Sequence, residues 1–169
     1  MRKYAFSAII SLLVSLGGFA NWTFRSSKAY GFTSNEVDKI PSITGTNSFP
    51  KRVRASIMSF VRHSFKLKIP NRSSAISQLD IQVPESLRPS SKITISNQYG
   101  QSVNAILTIK GHVIEIIFPQ AISPGTTLNI DMNIEHILQT PNAWLYSISI
   151  KFFGQNEEVQ VGTAQFHNY

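Results

Sequence analysis

The chain has 169 residues, of which 42% are hydrophobic and 15% charged, with no cysteine. That length points to one domain with a single packed core, and the composition excludes a wholly disordered chain, disulfides and thiolate metal sites. The formal net charge is +7, but Arg2, Lys3, Arg25 and Lys28 lie in or beside a leader; of 16 basic residues these leave 12 to face 9 acidic ones, which argues against a nucleic-acid binder.

The segment MRKYAFSAIISLLVSLGGFANWTF opens with two cations and stays uncharged from Tyr4 to Phe24. This is the pattern of a secretory signal, whose positive end stays cytoplasmic while the apolar run enters the translocon. Ser27-Lys28-Ala29 predicts cleavage before Tyr30, and Gly18-Phe19-Ala20 offers a second site before Asn21. The run is also long enough to span a bilayer as a helix. Residues 1–29 are therefore either a signal peptide or an uncleaved anchor, and in both cases the body is exported to the periplasm or cell envelope.

Residues 30–50 mix Gly, Pro, Ser, Thr and Asn without a period and read as an extended arm, followed by a domain over 51–169. His63 to Ile69 alternates apolar and polar residues and stops at Pro70; Leu79 to Val83 does the same and stops at Pro84. Further strands are predicted over Lys92 to Ser96, Val103 to Ile109, His112 to Phe118, Leu128 to Glu135, Ala143 to Phe153 and Val161 to Phe166. Lys110-Gly111 and Pro124-Gly125 mark tight turns, and Ser73 to Gln78 and His136 to Thr140 could each hold one helical turn. Period-2 patterning in short strands with turn signals between them predicts an all-β, antiparallel, immunoglobulin-like β-sandwich, with a closed barrel as the alternative. Each strand has one apolar face, and two facing sheets bury both.

The basic residues are concentrated. Lys51, Arg52, Arg54, Arg62, Lys66, Lys68 and Arg72 occur with no acid between Asp38 and Asp80. Lys66 and Lys68 must point away from Phe65, Leu67 and Ile69, so they mark the wet face of a strand. The whole set is also a candidate contact patch for an anionic glycan, lipid headgroups or an acidic partner. His63, His112, His136 and His167 show no metal-ligand spacing; a copper site could only gather distant ligands such as His63, His112 and Met132. The NIDMN segment, residues 129–133, lacks the glycine a calcium loop needs. Neither Gly-x-Ser-x-Gly nor a phosphate loop occurs, and Glu115 and Asp131 read as solvated carboxylates of ordinary acidity. Trp144, Tyr146 and Phe152, with Ile148 and Ile150 between them, form a stripe expected in the core.

Several motifs in order, HSFKLKIP, AISQLDIQVP, FPQAISPGTTLNIDM, NAWLYSISIKFFG and VGTAQFHNY, resemble a cyanobacterial family of exported proteins described as a domain of unknown function. The resemblance covers residues 49–169, with His63 standing where the family more often has an aromatic. It implies export and a sandwich-like body, and it implies no reaction, cofactor or catalytic residue. The expected function is a non-enzymatic exported module that binds an anionic envelope component or another exported protein. A copper-type metal-handling domain is the alternative, and a hydrolase assembled from distant residues a third.

Overall fold

The computed structural model describes residues 39–49, 59–136 and 143–167. The leader, residues 30–38 of the arm, and Lys51, Arg52 and Arg54 lie outside the described residues. The described strands are β1 (Ser42–Phe49), β2 (Ser59–Lys68), β3 (Ile76–Gln82), β4 (Leu87–Asn97), β5 (Ile106–Lys110), β6 (Val113–Ile122), β7 (Thr127–His136), β8 (Ala143–Phe152) and β9 (Glu158–His167). They form two antiparallel sheets, β1-β2-β7-β4 and β5-β6-β3-β8-β9. This is the immunoglobulin-like arrangement, widened by the β5–β6 hairpin beside β3.

Alternation decides which face is buried. Val61, His63, Phe65 and Leu67 on β2, with Leu128, Ile130, Met132 and Ile134 on β7, point into the space between the sheets. They meet Leu79 and Ile81 of β3, Ile114 and Ile116 of β6, the even-numbered side chains Trp144 to Ile150 of β8, and Ala164 and Phe166 of β9. Among the described residues no closed barrel is formed, because β1, β4, β5 and β9 each end a sheet. Edge strand β4 holds Pro89 at a register shift, a position where the missing N–H breaks no inner ladder.

The structure departs from the sequence reading in the first sheet's opening strand and at one turn. Residues 42–49, inside the stretch read as an arm, form β1 and pair with β2. This edge strand is mostly exposed and packs only Ile43 against the core, so it carries almost no apolar signal and shows no period. Ser73 to Gln78 holds no helical turn; a bend closes at Ser73 and β3 begins at Ile76. A register shift between Ile76 and Gln78 explains the helix-like spacing, since it lets Ile76 and Leu79, three apart, both point inward. Residues 137–140 of the second predicted turn lie outside the described residues.

Candidate binding surfaces

Of the seven basic residues, Arg62, Lys66, Lys68 and Arg72 lie among the described residues, and these four divide between two places. Arg62 and Lys66 stand on the outer face of β2, while Lys68 ends that strand and Arg72 follows in the β2–β3 loop. All four are exposed, and none makes an ion pair among the described residues.

Arg62 and Lys66 overlook a groove of about 750 Å³ across the outer face of the four-stranded sheet. Register explains its floor. Ser64 lies between Asn47 of β1 and Asp131 of β7, and Lys66 between Gly45 and Asn129. The Ser64 hydroxyl donates to the Asp131 carboxylate, and Asn129 donates through its side-chain amide to the Asn97 carbonyl at 3.1 Å. At one margin Phe49 is 63% exposed, and the Arg62 guanidinium sits 5.8 Å from its ring centroid. The groove thus combines two cations, the Asp131 carboxylate, several planar amides and hydroxyls, and an accessible ring.

The residues considered for metal binding are placed differently. His63 and Met132 are register partners with buried side chains. Nδ1 of His63 shares a 2.6 Å hydrogen bond with the Tyr146 hydroxyl, and the His63 ring stacks on Phe166 at 4.4 Å and 11°. Burial pushes the Tyr146 phenol far above its ordinary pKa, so it is a neutral hydroxyl. His112 lies in the β5–β6 turn, where its carbonyl accepts from the Val83 amide. Among the described residues no three His, Asp or Glu side chains gather as a metal site.

Sequence reading did not connect Asp80 with Glu115. They are register partners on β3 and β6, beside a recess of about 370 Å³ on the outer face of the five-stranded sheet. The Gln78 amide donates to both, at 2.8 and 2.9 Å to Asp80 and 3.3 Å to Glu115. Glu115 was expected to keep ordinary acidity; instead Lys110, donating to its Oε2 at 2.8 Å, holds it below the ordinary range. Burial holds Asp80 above the ordinary range, the Gln78 bonds opposing the shift and Glu158 and Glu115 adding to it. Two neighbouring carboxylates are what a glycosidic hydrolase would need. Here Gln78 bridges the pair and Lys110 occupies one partner, so the arrangement ties β3 to β6 across an open sheet face. The signal for it was available in the sequence: QLDIQ and VIEII alternate, and correct pairing sets their acids opposite each other.

No family model and no curated protein matches the chain. Solved structures do. The pilus backbone protein of Streptococcus pneumoniae aligns with 69% of this chain and 32% of its own, at 12% identity and a TM-score of 0.51. The major pilin subunit of Bacillus cereus aligns with 76% of this chain and 40% of its own, at 10% identity and a TM-score of 0.52. The fold is similar to that of pilus subunit domains. A collagen-binding domain from a Staphylococcus aureus adhesin aligns with 65% of this chain and 89% of its own, at 15% identity and a TM-score of 0.43. This chain spans 32% and 40% of the two pilus proteins' lengths, so the likeness concerns a part of each.

Proposed function

We propose that the protein is an exported, non-enzymatic sandwich module that binds an anionic polymer of the periplasm or cell envelope in the groove across β1, β2 and β7. The observation that carries this reading is the pair Arg62 and Lys66, four residues apart on one strand face with Ser64 between them, above a floor of Asn47, Ser64, Asn129 and Asp131, whose carboxylate is engaged by the Ser64 hydroxyl. A guanidinium grips a carboxylate or sulfate through two parallel N–H donors, and an ammonium adds a second point of charge. Amides and hydroxyls suit sugar hydroxyls, and the Phe49 ring offers an apolar surface to a sugar face. Export rests on the leader, and the reading fits both the resemblance to the cyanobacterial exported family and the sandwich shared with surface proteins. Fold alone assigns no ligand.

Affinity electrophoresis with a soluble polyuronate and with neutral dextran tests it. The polyuronate retards the protein and dextran does not, and Arg62→Glu/Lys66→Glu weakens retardation at least about tenfold, since hydrogen bonds to charged groups are each worth about 1.5–3 kcal/mol. Retention falls as salt rises, because the groove is open to solvent. Equal retardation of wild type and the double variant would refute the reading.

A further inference from the structure

Lys68 and Arg72 belong to another surface. Four connections meet at one end of the sandwich. They are β2–β3 (69–75), β4–β5 (98–105), β6–β7 (123–126) and β8–β9 (153–157). Backbone hydrogen bonds tie several of them down: Ile69 donates to the Thr126 carbonyl at 2.9 Å, Gly125 to the Ile69 carbonyl at 2.9 Å, and Phe153 to the Ala75 carbonyl at 2.8 Å. The Thr127 amide donates to the Gln98 side chain at 2.9 Å. β1 starts here too, Ser42 being the register partner of Lys68.

This end carries two large apolar side chains that the fold does not bury. Tyr99 is 78% exposed and Phe153 69% exposed. Tyr99 follows β4, which runs along β5, and Phe153 precedes β9, which runs along β1, so the two rings sit towards opposite sides of the end. Strand spacing puts those sides roughly 15–20 Å apart. Between them Lys68 and Arg72 line a recess of about 370 Å³ together with Ile69, Pro70, Asn71 and Gly125. Lys39 is exposed just before β1, and Glu157 is the only acid in the four connections. The β3–β4 connection, at the opposite end of the sheets, carries Glu85 and no cation.

We propose that this end seats on an anionic phospholipid surface, with the Lys68–Arg72 recess taking a headgroup phosphate and Tyr99 and Phe153 entering the interfacial layer. A tyrosine at the water boundary keeps its hydroxyl wet while its ring leaves water, and a phenylalanine goes deeper. Two cations in a recess match one phosphate, and a phosphate-rich surface adds long-range attraction. Seated this way, the groove on the sheet's outer face stays open at the side, so the two surfaces do not compete.

The full chain has no cysteine, so Asn156→Cys at this end and Glu85→Cys at the other can each carry a single environment-sensitive fluorophore. Each protein is mixed with vesicles of phosphatidylcholine alone or with phosphatidylglycerol added. Every version keeps the leader, so capture by the leader is common to all. The label at position 156 shifts to the blue only when phosphatidylglycerol is present, and the label at position 85 does not shift. Each cation near an anionic surface contributes about fivefold to partitioning, so Lys68→Glu/Arg72→Glu lowers the ratio of immersed to free label by about 30-fold or more. Tyr99→Ser/Phe153→Ser also lowers it, whereas Arg62→Glu, about 20 Å along β2 from Lys68 and beyond the reach of screened charge, leaves it unchanged, which separates this end from the groove. An equal shift at both ends, a shift in phosphatidylcholine alone, or a shift that survives Lys68→Glu/Arg72→Glu would overturn the proposal.

Discussion

Replacing His63 and Tyr146 singly and together measures what a polar pair contributes inside this core. Both side chains are fully buried between the sheets and share a hydrogen bond of 2.6 Å. Tyr146→Phe removes the hydroxyl and keeps the ring, including its edge contact with Phe166 at 5.0 Å. It deprives Nδ1 of His63 of this partner, at a cost of about 1–3 kcal/mol. His63→Phe keeps a ring able to stack on Phe166, but strands the Tyr146 hydroxyl at a similar cost. The double variant removes both ends of this bond, so neither end is left stranded by loss of the other. Its loss of stability is smaller than the two single losses combined, by a coupling of about 1–2 kcal/mol. Urea titrations followed by fluorescence supply the measurement, since the Trp144 ring lies 5.1 Å from that of His63. A Trp22→Phe background leaves Trp144 as the sole reporter. If the double variant loses as much as both singles together, the hydrogen bond carries no specific stabilisation and the reasoning fails.

Two further outcomes follow from the sheet faces and the turns. Because the folded state raises the Asp80 pKa, native protein binds that proton more readily than unfolded chain, and stability falls as pH rises from the ordinary Asp range through the raised value. Asp80→Asn therefore raises the urea midpoint at neutral pH, and the gain disappears when midpoints are measured at a pH below the ordinary Asp range; a gain that grows on acidification would contradict the assignment. Gly125 has φ +81°, and a methyl added there would overlap the Asn71 side-chain oxygen. Gly125→Ala costs about 1–3 kcal/mol in thermal or urea unfolding, and Asn71→Gly in the same chain recovers only the part due to overlap, the backbone strain remaining.

Much of this molecule was readable from period alone. Phe65, Leu67, Ile69, Leu79, Ile81, Val83, Ile130 and Met132 alternate with polar residues, and all eight are buried. Trp144 and Tyr146, expected inside from their stripe, are buried too. β1 was illegible because a mostly exposed edge strand carries little apolar signal. The helical turn predicted at Ser73 to Gln78 misread a strand irregularity as a change of period. For the candidate sites, exposure of Arg62, Lys66, Lys68 and Arg72 was legible from their positions opposite or beyond apolar residues. Their division between a sheet face and a loop end was not. The same holds for Asp80 and Glu115, 35 positions apart in the chain and opposite each other in the sheet.

The chain's order of residues by itself determined that its segments are extended, that one side of each is apolar, and that an uncharged run from Tyr4 to Phe24 precedes them. Those properties are local, fixed by side-chain polarity and the two-residue repeat of an extended backbone. Only the tertiary structure decided which strands became neighbours, and through register which polar side chains share a groove, a recess or a hydrogen bond. Pairing between distant strands depends on how all the apolar faces close over one another at once, and no short stretch of sequence contains that information.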